Sequence, residues 1–145
     1  MKVADSDLVS EIEDIYIFDY GTFYFCSDYV ISEIHEGVLF SWELAQEVIE
    51  LVYQHYGKAV LISYISNRIH SYSLVPQDWL KFFAERHALQ CFAVVTYTKQ
   101  GLMNVMLEKL FFKSRIKRFE TLYEATDWIK ANTPIRHRTT FEEKH

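Results

Sequence analysis

The stretch Gly57-Lys58-Ala59-Val60-Leu61-Ile62-Ser63-Tyr64-Ile65 decides the fold. From Ala59 onward it is a near-continuous apolar run placed directly behind a glycine. A strand with one wet face alternates apolar and polar residues. A run without that alternation suits a strand buried on both faces, as in a parallel sheet covered by helices. The segment before it agrees. Ser41 is a good N-cap, and Ala45, Val48, Ile49, Val52 and Tyr56 recur at spacings of three and four. They form an apolar stripe, with Glu43, Gln46, Glu47, Glu50 and Gln54 turned to water. Gly57 stops this helix, where a left-handed residue is wanted.

Downstream, Pro76 opens a second helix at its first position, where its missing N–H costs nothing. Asp78 suits that N-terminus, and Trp79, Phe82 and Phe83 supply the apolar face. Cys91 to Thr96 reads as a strand, Thr98 caps a helix through Phe112, and Ile116 to Phe119 is a short strand. Thr121 with Glu124 forms the capping box of a last helix through about Asn132. Pro134 and the charged tail end the fold. Upstream, Thr22 to Cys26 and Tyr29 to Ile34, joined by a Ser27-Asp28 turn, read as a hairpin. The order predicts an α/β domain with a mostly parallel sheet, an antiparallel N-terminal hairpin edge and about four helices. The domain spans 19–133, between an acidic extension at 1–18 and a charged tail at 134–145. Within the extension, Ser10 with Glu13 suits a short helix and Ile15-Tyr16-Ile17-Phe18 suits an added edge strand; both readings stand.

With 145 residues the chain is one domain's length, and half its residues are hydrophobic. A domain of that size needs no metal or disulfide to hold its core. No apolar run approaches the ~20 residues of a membrane span, and the first residues lack a signal-peptide core. A soluble, cytoplasmic domain is expected. The net charge of −5 argues against nucleic acid, since neutralising phosphates takes an excess of Lys and Arg. The charge is uneven: residues 1–36 hold nine acids and one base, so they carry −8 and the remainder +3. The acidic arm reads as a solvated extension, with docking as the other reading.

Cys26 and Cys91 sit in apolar runs with 64 residues between them and read as buried free thiols. No Cys or His pair has metal-ligand spacing, and no histidine accompanies a candidate nucleophile, so neither a metal, a cofactor nor an enzyme is expected.

Three features resemble the SpoIIAA-like branch of the STAS superfamily over roughly Gly21 to Ala131. One is the passage Ile34-His35-Glu36-Gly37-Val38-Leu39-Phe40-Ser41-Trp42-Glu43-Leu44-Ala45, similar to the STAS sequence of strand, glycine and capped helix. Another is the run Asn67-Arg68-Ile69-His70-Ser71-Tyr72-Ser73-Leu74 behind the central strand, which resembles small STAS-like proteins of Bacteroidetes. The alternating element order is the third. The resemblance implies a non-enzymatic regulatory or binding domain. Ser71 falls near the phosphorylatable serine of anti-sigma factor antagonists. His70 stands in place of the Asp there, and Tyr72-Ser73 in place of Ser-Gly, which argues against switching by a cognate kinase.

The candidate contact site is Asn67, Arg68, His70, Ser71, Tyr72 and Ser73, a donor-rich loop between a strand end and the helix start at Pro76. It suits an unidentified protein partner. Ser71 and Ser73 are the candidate phosphorylation sites, with Arg68 near enough in sequence to pair with a phosphate. The competing reading is turn architecture, with Arg68 anchoring an acid. The basic run Lys109, Lys113, Arg115, Lys117 and Arg118 around Leu110, Phe111 and Phe112 suits either an anionic surface or an ordinary helix end and outer strand. Aromatics crowd the N-terminal third and suit core packing, a homodimer surface or a pocket for a small apolar or lipid-like ligand. That pocket is the alternative function, since the STAS-like fold is similar to lipid-transfer domains.

Overall fold

The computed structural model describes residues 1–133. Its main sheet has six strands: β1 (Asp14–Phe18), β2 (Gly21–Phe25), β3 (Tyr29–Ile34), β5 (Ser63–Arg68), β7 (Phe92–Thr96) and β8 (Ile116–Phe119). They lie side by side in the order β1-β2-β3-β5-β7-β8. The first two pairings are antiparallel and the other three parallel. The helices are α1 (Trp42–Tyr56), α2 (Asp78–Ala84), α3 (Lys99–Glu108) and α4 (Leu122–Ala131). The expected α/β architecture therefore holds. β2 and β3 form the expected hairpin, but β1 lies outside it and is the edge.

Strand β3 is buried at all six positions, which fits its place between β2 and β5. Alternation sends Tyr29 and Ile31 to one face, with Ile65, Ala93 and Val95, beneath Ala125 and Ile129 of α4. Val30 and Ile34 go to the other face, with Phe23 and Phe25, beneath Val48 of α1. Further along that second face, Phe92 and Val94 meet Val105 of α3 and Phe112. We call these the α4 face and the α1–α3 face. Gly21 allows β2 to run close to β3: a Cβ there would stand 2.7 Å from the Glu33 carbonyl oxygen.

Several local expectations need correction. The apolar run does not become strand until Ser63, because its partner β3 begins only at Tyr29, opposite Ser63. The strand then continues to Arg68, so Asn67 and Arg68 belong to it and not to a loop. Pro76 lies two residues before α2, in turns closed by Asp78 N–H to Val75 and Trp79 N–H to Pro76. α3 ends at Glu108, whose carbonyl accepts from both Phe111 and Phe112 in the following turn. The expected end at Pro134 and the tail lie outside the described residues. A two-residue parallel pairing of β4 (Leu39–Phe40) with β6 (Ser73–Leu74) had no signal in the sequence.

The acidic arm is not a solvated extension. Two short 3-10 turns, Val3–Asp5 and Asp7–Glu11, carry Val3 and Leu8 into the core of the α4 face. Ser6 joins them, donating to the Val3 carbonyl and accepting from Leu8 N–H. Glu11 accepts from Tyr29 Oη at 2.9 Å and from Lys130 of α4 at 3.0 Å. Val3 and Leu8 suffice to anchor the segment because both are almost fully buried, while Val9 stays half-exposed.

Candidate ligand cavity

The alternation of β5 separates the candidate residues at once. Asn67 points to the α4 face and is buried. Its Nδ2 donates to the Met1 carbonyl and to Glu33 Oε2, both at 2.9 Å, and its Oδ1 accepts from Tyr97 Oη at 2.8 Å. Glu33 Oε2 also accepts from Val3 N–H at 2.8 Å. Asn67 thus pins the N-terminal segment, with its amide fully used.

Arg68 points the opposite way. Its Nη1 lies 2.6 Å from Oε2 of Glu108, which is completely buried at the end of α3. That contact is a close, buried ion pair. Glu108 Oε1 accepts from Trp79 Nε1 at 3.1 Å. Arg68 Nε donates to Ser66 Oγ at 3.0 Å, and Ser66 Oγ shares a 2.8 Å hydrogen bond with Tyr72 Oη. The guanidinium stands 5.5 Å from the centre of the Tyr72 ring. Burial acts to lower the Arg68 pKa, but Tyr72, Glu108 and Tyr64 together outweigh it and the net shift is upward. Burial also raises the Tyr64 phenol, whose Oη shares a 2.6 Å hydrogen bond with Ser32 Oγ. Each charged or hydroxylated group here is held neutral or paired, as a low-dielectric site demands.

Arg68, Tyr72 and Glu108 line a cavity of about 150 Å³ between the sheet and α1 and α2. Its other walls are mostly apolar, including Phe40, Val52, Ile62, Leu74, Phe82 and Phe92. On α1, Val48 is the most buried residue, and Leu44, Leu51, Val52 and Tyr56 pack partly buried against the sheet. A broader polar depression lined by Gln46, Glu50, Lys58 and Glu85 shares Ile49, Tyr53 and His87 with the cavity.

His70, Ser71 and Ser73 face outward. His70 Nδ1 is 4.0 Å from Glu36, whose Oε1 accepts from Ser71 N–H at 3.0 Å. Gly37 N–H donates to the Ser71 carbonyl, and Ser73 N–H to the Val38 carbonyl, both at 2.8 Å. The six candidates therefore do not form one surface. Asn67 serves the opposite face, Arg68 and Tyr72 line the cavity, and the other three are outside. The pairing of Arg68 with a phosphate on Ser71 or Ser73 is also overturned, because its guanidinium is committed to Glu108.

A structural comparison finds a likeness to the crystal structure of an uncharacterised DUF3478-family protein with a SpoIIAA-like fold from Shewanella loihica PV-4. It covers 80% of this chain and 90% of that one, with a TM-score of 0.52 and 13% identity. This protein has a SpoIIAA-like fold. No protein-family model and no curated protein matches the chain.

Within this SpoIIAA-like sheet, sequence reasoning missed Glu108, Trp79, Tyr64 and Ser66. Glu108 did carry a signal. It is the sole acid between Tyr97 and Phe119, among six bases, and it lies on the line Val105–Glu108–Phe112, where a helix buries its apolar residues. A lone carboxylate on such a line implies a buried cation as partner. Tyr64 and Ser66 were hidden because a strand buried on both faces gives no outward sign of which face holds a void. Among the described residues no three His, Cys, Asp or Glu side chains gather as a metal site, and no helix is long and apolar enough to cross a membrane.

Proposed function

We propose that this protein is a non-catalytic STAS-type binding module, acting in the cytoplasm, that senses a small apolar ligand in the cavity of the α1–α3 face. The observation that carries this reading is an apolar void closed at one wall by the buried Arg68–Glu108 pair. A mostly apolar cavity of this size accommodates a benzene-sized molecule, or a short alkyl chain where the opening lets it extend. The other walls are mostly apolar, so the matching ligand is a small neutral molecule with an apolar body. A carboxylate is disfavoured because Arg68 is already neutralised and Glu108 would repel it. Occupancy reaches the surface through residues 72–74. Tyr72 and Leu74 line the cavity, while Ser71 and Ser73 on the same segment face solvent. A protein partner reading that outer side, with His70, completes the regulatory role.

Calorimetric titration with n-hexanol and with hexanoate tests this. Hexanol is expected to bind the native protein and hexanoate at least tenfold more weakly. Ala45→Leu, which fills the void from α1, is expected to abolish hexanol binding. Equal binding of both compounds, or binding unchanged by Ala45→Leu, would contradict the proposal.

A further inference from the structure

α3 is apolar on two sides. Val105 and Glu108 face the sheet and are buried. Leu102, Met103, Met106, Leu107 and Leu110 lie on the outer side, with Met106 61% and Leu110 72% exposed. Their spacing of one, three, one and three residues is that of a continuous stripe on a helix and the turn that follows it. Contiguous exposed apolar patches of this kind mark interaction sites. Lysines stand at both ends of the stripe: Lys99 at the first helical position, and Lys109 and Lys113 just beyond the last. None of the three makes an ion pair with a described residue.

The local charge is opposite to that of the chain. From Tyr97 to Phe119 there are six bases and one acid, and that acid is the buried Glu108. The acidic N-terminal segment packs on the other face of the sheet, with Val3 and Leu8 in the core beneath α4. On the α1–α3 face, α1 covers β2 and β3 while α3 covers β7, so the glutamates of α1 are at the far side.

We propose that the outer face of α3 docks on an anionic lipid bilayer, with Leu102, Met106 and Leu110 entering the acyl boundary and Lys99, Lys109 and Lys113 meeting phosphates. The chemistry is that of an interfacial helix: an apolar stripe framed by cations and free of exposed acids. Charge complementarity selects this occupant. A two-fold contact with a second copy would set the same lysines against one another, whereas an anionic leaflet attracts each of them. The stripe also lies on the convex outside of a helix, which suits a deformable surface.

Vesicle flotation tests the proposal. The native protein is expected to float with vesicles of phosphatidylcholine and phosphatidylserine, to release in high salt, and to stay unbound with phosphatidylcholine alone. Lys99→Gln with Lys109→Gln is expected to weaken partitioning roughly twenty-fold, from about a fivefold loss per lysine. Met106→Ser with Leu110→Ser is expected to weaken it at least tenfold. Both pairs are surface changes and should melt with the native protein; the lysine pair stays informative if the apolar pair does not. Absence of flotation, or flotation insensitive to both pairs, would overturn the proposal. So would a concentration-dependent dimer in sedimentation velocity that Met106→Ser with Leu110→Ser dissociates, since the occupant would then be a second copy.

Discussion

Asn67 and Arg68 are neighbours on one strand, and the two faces they serve are built differently. On the α4 face a buried amide has every donor and acceptor used, and the surrounding aliphatic side chains close over it. On the α1–α3 face a buried ion pair stands beside a void of about 150 Å³. The first arrangement is what a polar group needs to be tolerated in a core. The second sets a paired charge beside empty, mostly apolar space, which is what a binding site needs. Burial alone does not distinguish them; the distinction is whether the volume is filled.

The largest expected effect breaks the pair. Arg68→Ala leaves Glu108 buried and unpaired and is expected to cost about 3–5 kcal/mol in a denaturant titration. Replacing both partners with apolar residues, Arg68→Met with Glu108→Leu, should recover most of that loss. Asn67→Ala is expected to cost about 1–3 kcal/mol, since it strands Tyr97 and half of the Glu33 contacts. It should leave ligand binding unchanged, because it acts on the other face.

A smaller pair of effects concerns volume. Ala125→Leu inserts three carbons into the filled α4 face and is expected to destabilise by about 1–3 kcal/mol. Ala45→Leu adds the same atoms beside the void and should be neutral or mildly stabilising. Loss of stability of equal size at both positions would mean that the cavity is already closed.

Many elements were legible in the sequence because their signals are local. Ser41 caps α1, Thr98 caps α3 and Thr121 caps α4, each accepting a backbone N–H three residues on. Gly57 takes a φ of 83° at the end of α1. Less of the site was legible. Asn67 and Arg68 look like one polar loop in sequence, and only strand alternation sends them apart. The extension at 1–18 misled because charge composition describes most of its residues but not Val3 and Leu8, which do the packing. The cavity depends on what α1, α2 and the sheet together leave unfilled, and no local pattern encodes that.

A further effect appears only at alkaline pH. Burial pushes the Cys26 thiol up to about 11, and it raises the Tyr29 and Tyr56 phenols. In the unfolded chain a thiol ionises near ~8.5 and a phenol near ~10. An acid whose folded pKa lies above its unfolded value stabilises fully below the unfolded value and loses that contribution as pH rises through the folded one. The denaturation midpoint should therefore hold level to about pH 8 and fall between about pH 9 and 11. Cys26→Ala should flatten the first part of that decline, and Ala45→Leu should not change its shape.

Native mass spectrometry of the protein freshly purified from the cells that make it addresses the cavity most directly. The expected result is a stoichiometric small-molecule adduct that dissociates on activation as a neutral and is missing from the Ala45→Leu variant. A clean unliganded mass for the native protein, or an adduct that persists in the variant, would contradict the assignment of the α1–α3 cavity as the binding site.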